Sequence, residues 1–454
     1  MSPMKTVWFI LLAVVFLLAM GIPEAAAGLP ERMDDGGIRA ALLLDGREAF
    51  DARMRLIAGA EQTLELGTYL FKDDVSGRLI ASALIAAADR GVRVRILTDG
   101  LIGRLNGGDL RYVLGSHQNM ELRFYNPVNL LDTNSLNSRY HEKFLIKDRE
   151  VLVLGGRNIS DDFLSAPGYP EVNYDLDVLV FGTPGDEKPA AQALADYFDL
   201  IWEEYCVPAY SSVPESKAPA VSKLEEELRG LYAAFCLENP ELVTREGWAV
   251  ATVPVKGYTL LVNPARPGVK EPVLWEALTD TMKNAGERIW VLTPYLVPDG
   301  LMSGDLEEVA ALVPDMTVLI NSRAAGSNLI ASADYLVRKG MFEDMRLRLY
   351  EFHGDLSMHT KAVLFDGDAG AVGTFNFDMR SVYINTEVML ILYGEEFNAI
   401  LEQYMLGMLA FSAPANAAAR EKDTWGEELK SPGNLKELII HLLAPFITAL
   451  RPLI

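Results

Sequence analysis

Apolar and polar positions along the chain fall into two alternating patterns. Short runs rich in β-branched residues, such as "GVRVRILTDG" from Gly91, are typical of buried strands. Longer stretches with helical spacing of apolar residues lie between them, such as "SGRLIASALIAAADRG" from Ser76 and "DLEEVAALV" from Asp305. Strands and helices that alternate in this way predict an α/β protein built on a layered sheet.

The same order of apolar runs occurs twice. "LELGTYLFKDD" from Leu64 matches "IWVLTPYLVPDG" from Ile289, and "MELRFY" from Met120 matches "MRLRLY" from Met345. "DLDVLVFG" and "EVMLILYG" match further on. We therefore predict two similar domains, residues 35–207 and 258–412, related by a pseudo-two-fold axis with an active site at their interface. Residues 208–257 are predicted to be a linker with a charged helix, because they are Pro- and Ser-rich and then charged.

The two ends of the chain are strongly apolar. Residues 1–27 have a Lys, an apolar run and a small-residue "AAAG", which predicts a cleaved signal peptide or a retained N-terminal anchor. Either one places the rest of the protein outside the cytoplasm. The tail, residues 413–454, ends in "NLKELIIHLLAPFITALRPLI". This segment is predicted to form a membrane-interfacial helix, and the alternative is a helix packed on the protein's own core.

One motif stands in both halves. His141 is followed by a Lys at +2 and an Asp at +7, and His359 has the same followers. An Asn lies beyond each motif, after a Gly-x-x. Because the chain has only 5 histidines, two full matches are unlikely to arise by chance. The residues of the two copies are His141, Lys143, Asp148 and Asn158 in the first half, and His359, Lys361, Asp366 and Asn376 in the second.

These residue types favour phosphodiester chemistry. On a strand, His141 and Lys143 share a face, and two such faces brought together would form a cationic pocket rich in hydrogen-bond donors. One imidazole can attack phosphorus while the other protonates the departing alkoxide. Each imidazole then needs a carboxylate to orient it, and Asp175 and Glu387 occupy matching positions in the repeat. We count Asp148 and Asp366 among the catalytic residues as well, although both fall where a turn is expected.

Composition limits the other possibilities. The net charge of −22 and the absence of a dense Lys/Arg run disfavour a nucleic-acid partner. The remaining histidines lack metal-ligand spacing, so no metal site is expected. No Gly-x-Ser-x-Gly elbow is present, which disfavours a serine esterase. Cys206 and Cys236 are equally compatible with one disulfide and with two separate thiols.

The paired His-x-Lys-x4-Asp motifs resemble those of the phospholipase D superfamily. "YHEKFLIKDREVLVLGGRNISDDF" and "GTFNFDMRSVYINTEV" are most similar to its bacterial cardiolipin synthase branch. The resemblance implies two tandem α/β/α sandwich repeats and a cofactor- and metal-independent mechanism through a phosphohistidine. It implies His141 as nucleophile and His359 as general acid and base, although the motifs alone do not fix which histidine attacks.

The resemblance also implies roles for the surrounding residues. Lys143, Lys361, Asn158 and Asn376 would hold the phosphate. The carboxylate would pair with the histidine of the other half, which puts Glu387 behind His141 and Asp175 behind His359.

Three positions depart from the pattern of this branch. Gly156 and Thr374 stand where a Ser is frequent, so the first half lacks one hydroxyl donor. Glu142 stands between His141 and Lys143 where an Asn is frequent, and its side chain is expected on the opposite face with little catalytic consequence. Met379 replaces a frequent Pro. No reacting group is lost.

Four functions fit these residues. The leading hypothesis is a phosphatidyltransferase that makes cardiolipin from phosphatidylglycerol and a second phospholipid at the periplasmic face of a bacterial inner membrane. The alternatives are a phospholipase D that releases phosphatidic acid, an exported nuclease, and a non-catalytic membrane-associated binding protein. The expected partners are a phospholipid substrate and a membrane surface, and the branch leaves room for a small accessory protein. One chain is expected to complete the active site.

Overall fold

The computed structural model describes residues 37–103, 108–127, 137–182, 188–210, 212–243, 251–422 and 433–451. The first half contains strands β1 (Ile38–Leu43), β2 (Thr63–Thr68), β3 (Arg93–Asp99), β4 (Met120–Tyr125), β5 (Lys143–Lys147), β6 (Val151–Gly155), β7 (Asn173–Tyr174), β8 (Asp177–Phe181) and β9 (Cys206–Pro208). Its helices are α1 (Gly46–Gly59), α2 (Val75–Asp89), α3 (Leu110–Ser116) and α4 (Ala190–Glu204).

The middle of the chain contributes helices α5 (Ala218–Glu238) and α6 (Pro240–Val243) and strand β10 (Val253–Val255). The strands of the second half are β11 (Gly257–Val262), β12 (Arg288–Leu292), β13 (Leu296–Val297), β14 (Asp315–Asn321), β15 (Arg348–Phe352), β16 (Ser357–Met358), β17 (Ala362–Phe365), β18 (Ala369–Gly373), β19 (Phe377–Asp378), β20 (Val388–Tyr393) and β21 (Ser412–Pro414). The helices are α7 (Val273–Lys283), α8 (Gly300–Leu312), α9 (Leu329–Glu343), α10 (Met379–Tyr383), α11 (Glu395–Leu409), α12 (Ala417–Lys422), α13 (Asn434–Leu443) and α14 (Ile447–Leu450).

Two large sheets have the same topology. The first has the order β10-β1-β8-β6-β5-β2-β3-β4-β9, and the second has the order β11-β20-β18-β17-β12-β14-β15-β21. Apart from β10, every strand of one sheet has a counterpart in the other. The pairing directions also agree, since β2-β3-β4 and β12-β14-β15 are parallel whereas the hairpins β5-β6 and β17-β18 are antiparallel. The duplication and the α/β fold class predicted from the sequence are confirmed.

The two sheets pack face to face across a shared core. Phe144 and Leu154 of the first half lie in one apolar cluster with Leu364 and Val372 of the second. Helices α4 and α11 also contribute to this shared core, and other helices cover the outer face of each sheet in two separate clusters. Because both faces of each sheet are covered, central strands such as β6 and β18 are continuous apolar runs rather than alternating ones.

The segment predicted as a linker adds to the first half. Helix α5 buries Val221, Leu228 and Phe235 against it, and strand β10 pairs antiparallel with β1 at the edge of the first sheet. This strand was not expected, since "VPV" is too short to stand out as a strand in the sequence. Cys206 in β9 and Cys236 in α5 are free thiols, so the disulfide alternative is not observed.

The structure describes the C-terminal tail but not the N-terminal segment. The predicted signal peptide or anchor, residues 1–27, lies outside the described residues. Among the residues that are described, no helix is both long and apolar enough to cross a membrane. In the tail, helices α13 and α14 bury Ile440 and Ile447 against Ala331 and Ala333 of α9.

Candidate active site

Two short bridges between the halves bring the motif histidines to one cavity. Tyr140 pairs in parallel with Thr386, and strand β7 pairs in parallel with β16. Each bridge ends one residue before a motif histidine on one side and a carboxylate on the other. His141 therefore lies beside Glu387, and His359 lies beside Asp175. Both histidines line a cavity of about 460 Å3.

Each histidine is paired with the carboxylate of the other half. His141 Nδ1 lies 2.9 Å and 3.0 Å from the two carboxylate oxygens of Glu387. His359 Nδ1 lies 2.7 Å from Asp175 Oδ2. Both carboxylates are fully buried. When Nδ1 carries a proton and donates it to a carboxylate, Nε2 is the nitrogen left to attack or to carry a proton toward a substrate.

Burial and neighbouring cations keep both histidines neutral at neutral pH. Burial, followed by the charges of Lys143 and Lys361, lowers the pKa of His141 well below its ordinary value. Burial and then Lys361 lower the pKa of His359 to about 4. Lys361 Nζ lies 3.0 Å from Nδ1 and 3.1 Å from Nε2 of His359, so this ammonium group stands against the ring and disfavours a second proton on it.

The two carboxylates have different environments. Burial raises the pKa of Glu387 to about 7, and the carboxylate also accepts hydrogen bonds from Thr374, Ser381 and Asn385. Burial acts to raise the pKa of Asp175, but the pairing with His359 and the charges of Lys361 and Arg157 together outweigh burial and hold the pKa below its ordinary value. Asp175 is therefore the firmly ionised member of the pair at neutral pH.

The missing hydroxyl of the first half has a steric cause. A Cβ placed on Gly156 would stand 2.1 Å from Asp175 Oδ1, so no side chain fits there. In the second half, the equivalent Thr374 Oγ1 donates to Glu387 Oε2 at 2.6 Å. The carboxylate of Asp175 therefore accepts fewer side-chain hydrogen bonds than that of Glu387. Its negative charge is more available to stabilise an imidazolium at His359.

The predicted phosphate-binding residues take different positions. Asn376 lines the cavity, and its Nδ2 donates to Tyr295 at 3.3 Å while its buried Oδ1 has no hydrogen-bond partner among the described residues. Lys143 and Lys361 are buried directly beside the histidines, each with Nζ donating to the carbonyl of its own motif histidine. Asn158 accepts a hydrogen bond from the backbone N–H of Leu70 at 3.2 Å instead of lining the cavity.

Asp148 and Asp366 do not belong to the catalytic site, which corrects the sequence-based prediction. Asp148 accepts hydrogen bonds from the backbone N–H groups of residues 61–63, and Asp366 accepts them from those of residues 286–288. Both residues lie in hairpin turns at the far end of β5 and β17, with positive φ angles of 51° and 53°. They tie the hairpins to the start of the neighbouring strands, β2 and β12.

Aromatic and cationic side chains that were not singled out complete the cavity. The Tyr69 ring lies 5.1 Å from the His141 ring, and Phe163 lies 4.9 Å from that of His359. Arg139 and Arg380 line the same cavity. Two signals were available in the sequence, since Tyr69 aligns with Tyr295 in the repeat and Arg139 lies two residues before His141.

No cluster of three His, Cys, Asp or Glu side chains that could hold a metal ion occurs in the described parts of the chain. The cavity instead offers two neutral imidazoles, cationic side chains and an amide. This arrangement can bind a phosphate group, attack it with one ring nitrogen and move a proton with the other.

Comparison with known proteins agrees with this chemistry. The family model described as "Cardiolipin synthase, PLD-like domain" matches residues 54–202 and 278–409. Cardiolipin synthase C of Escherichia coli is 29% identical over 401 residues, which cover 78% of this chain and 81% of that protein. A cardiolipin synthase of Geobacillus kaustophilus is 26% identical over 358 residues, covering 78% of this chain and 62% of that protein.

A solved structure shares the fold. The phosphatidylserine synthase of Haemophilus influenzae superposes with a TM-score of 0.63 at 14% identity, covering 91% of this chain and 95% of that one. The family model spans both halves of the duplication, including both motif histidines. The chain therefore belongs to the cardiolipin synthase family of phospholipase D-like enzymes.

Proposed function

We propose that the protein is a phosphatidyltransferase that makes cardiolipin from phosphatidylglycerol and a second phospholipid. The observation that carries this proposal is the pairing of His141 and His359 in one cavity, each backed by a buried carboxylate of the opposite half. The names of the Escherichia coli and Haemophilus influenzae proteins support it, since both describe synthases of phospholipids.

In the first step, Nε2 of His141 attacks the phosphorus of the donor phospholipid. A P–N bond forms, and the bond from phosphorus to the headgroup oxygen breaks. His359 supplies a proton to the departing alkoxide, so the headgroup leaves as a neutral alcohol. The phosphatidyl group then remains on His141 as a phosphohistidine.

His359 takes this proton from solvent when the substrate binds. The anionic phosphate attracts the ammonium group of Lys361 away from the imidazole, and Asp175 stabilises the imidazolium that forms. The different surroundings of the two carboxylates support the assignment of roles. Glu387, whose pKa is raised to about 7, accepts a hydrogen bond from Nδ1 of His141 once it ionises and leaves Nε2 free to attack, whereas the firmly ionised Asp175 favours a protonated His359.

In the second step, His359 accepts a proton from the incoming hydroxyl, whose oxygen attacks phosphorus while the P–N bond breaks. If the hydroxyl belongs to phosphatidylglycerol, the product is cardiolipin. If it belongs to water, the product is phosphatidic acid and the enzyme is a phospholipase D. The catalytic residues are the same in both reactions.

We place the reaction at the periplasmic face of the inner membrane. The support is the apolar N-terminal run from Val7 to Ile22, which is typical of an export signal or an anchor. The substrates of this reaction lie in that membrane.

Lipid mass spectrometry tests the proposal. The full chain is incubated with vesicles of phosphatidylethanolamine and phosphatidylglycerol, beside a His141→Ala control. Cardiolipin that forms only with His141 present is the expected result. Phosphatidic acid alone would identify a hydrolase, and unchanged lipids would contradict the proposal.

A further inference from the structure

The C-terminal helices α13 and α14 are apolar on two faces. The inner face buries Ile440 and Ile447 against α9. The outer face exposes Leu435, Leu438, Leu442 and Phe446, which are 71%, 55%, 61% and 66% exposed. We call these four residues the outer stripe.

The outer stripe differs from ordinary surface leucines. Its members follow one another at intervals of three or four residues, so they lie along a single side of the helical segment. Other exposed apolar residues of the protein, such as Leu237 and Val337, occur singly on their helices. Single apolar residues are normal on a surface, whereas a continuous stripe indicates a surface that another body covers.

The outer stripe is held next to the mouth of the catalytic cavity. Glu437 of α13 pairs with Arg323, and Lys436 donates to the carbonyl of Ala324 at 2.8 Å. Arg323 lines the cavity, and so do Leu101 and Ile102, two apolar side chains that are exposed at the surface. A surface that covered the stripe would therefore lie close to the opening through which a headgroup reaches His141.

We propose that the outer stripe docks the enzyme on a phospholipid bilayer, with its leucines and Phe446 inserted among the lipids beside the cavity mouth. This inference rests on the proposed function, because a lipid substrate reaches the cavity most directly from a bilayer next to its opening. Insertion is the mode of binding that the charge of the chain allows. A protein of net charge −22 is repelled by anionic lipids, so apolar burial has to supply the affinity.

Charge also distinguishes this mode of docking from attraction by a basic patch. Salt screens the repulsion between the acidic protein and anionic vesicles. Docking through the outer stripe should therefore hold or strengthen as the salt concentration rises, whereas adhesion through a basic patch would weaken.

A fluorescent NBD label, whose emission depends on the polarity around it, tests the outer stripe in the full chain. Because the label reports on one position, the test also works if the N-terminal segment binds vesicles. The label is attached at Leu442→Cys, and in a matched protein at Leu237→Cys, after Cys206 and Cys236 are replaced by serine. Vesicles of phosphatidylethanolamine and phosphatidylglycerol should raise the fluorescence severalfold and shift it to the blue at position 442 only. Equal, water-like emission at both positions with vesicle-bound protein would overturn the proposal. So would a blue shift at position 442 that needs no vesicles and grows with protein concentration, because it would assign the stripe to a second copy of the chain.

A comparison of turnover on vesicle lipids and on monomeric lipids distinguishes membrane docking from catalysis. The triple variant Leu438→Gln, Leu442→Gln, Phe446→Ser should lose at least tenfold in turnover of vesicle lipids, while Leu237→Gln should not. Both variants should turn over monomeric short-chain phosphatidylglycerol like the wild type. Full turnover of vesicle lipids by the triple variant would overturn the docking proposal. A wild type that is inactive on both vesicle and monomeric lipids, yet shows the blue shift at position 442, would refute the proposed function and leave the docking intact.

Discussion

At the scale of single residues, the site uses two similar His–carboxylate pairs in different ways. Glu387 accepts hydrogen bonds from Thr374 and two other side chains, whereas Asp175 lies against Gly156 and accepts hydrogen bonds from His359 and the backbone N–H of Leu176. The pKa values of the two carboxylates are displaced in opposite directions, which supports the proposed roles of His141 as nucleophile and His359 as proton carrier.

This asymmetry predicts a bell-shaped pH dependence of kcat/KM. As the pH rises through about 7, Glu387 ionises and activates His141, so the rate increases. Burial lowers the pKa of Lys143 to about 7 and that of Lys361 to about 8, so a further rise removes the cations that bind phosphate. The profile should be narrow, with an optimum near neutrality. Glu387→Gln should be slower and lose the acidic limb, and an unchanged acidic limb in this variant would contradict the role of Glu387.

Glu142 predicts a pH effect on stability rather than on chemistry. Burial raises its pKa from 4.5 to about 7 and outweighs the neighbouring hydroxyl groups of Thr386, Tyr140 and Tyr197, which act to lower it. The folded state therefore binds this proton more tightly than the unfolded state, and stability is lost as the pH rises from about 4.5 through about 7. Glu142→Gln avoids that loss. Its free energy of unfolding, measured with urea, should exceed that of the wild type at pH 8 by on the order of 2 kcal/mol, and the difference should shrink at pH 5. A pH-independent difference would contradict this account.

At the scale of elements, short parallel bridges and hairpin turns position the chemistry. The bridges set each histidine beside a carboxylate that is distant in sequence, 184 residues away for the pair of His359 and Asp175. The turns carry the aspartates of the motifs, whose carboxylates bind backbone N–H groups of the neighbouring strand.

Asp366 should consequently matter for stability and not for catalysis. Asp366→Ala removes hydrogen bonds to the N–H groups of residues 286–288, and should lower the free energy of unfolding by roughly 1–3 kcal/mol. Asp366→Asn should recover part of the loss, because Asn tolerates a positive φ and keeps one acceptor oxygen. The exposed Asp368 in the same turn is the control, and Asp368→Ala should have little effect. If kcat of the folded Asp366→Ala protein instead fell by a hundredfold, Asp366 would have a role in catalysis.

The sequence predicts elements better than it predicts the contacts between them. The repeated runs identify matching strands, because period-2 patterns and turns are local properties. Strand β10 could not be predicted, since three residues carry no usable pattern and its pairing with β1 depends on tertiary contact. The motif spacing predicted His141 and His359 as a pair, and both line one cavity, but the turn position of Asp148 indicated a structural role that the family pattern obscured.

At the scale of the whole molecule, one chain brings both His–carboxylate pairs to the interface of its two halves. The shared apolar core between the sheets fixes this interface, and each His–carboxylate pair crosses it. Neither half alone contains a paired histidine, which explains why both copies of the motif are complete.

A site completed within one chain predicts that two inactive variants do not rescue each other. Equimolar His141→Ala and His359→Ala proteins should show no more lipid turnover when mixed than when they are assayed separately. Recovery of a substantial fraction of wild-type turnover on mixing would mean that the halves of two chains combine to form the site.

The most direct test of the central claim is to trap the phosphatidyl group on His141. The His359→Ala variant is given a phosphatidyl ester of p-nitrophenol, whose leaving group needs no proton, and the protein is digested and analysed by mass spectrometry at neutral pH. The account predicts a phosphatidyl adduct on His141 that accumulates, because the base for the second step is missing. Release of p-nitrophenol without an adduct on His141, or an adduct that persists in a His141→Ala protein, would contradict it.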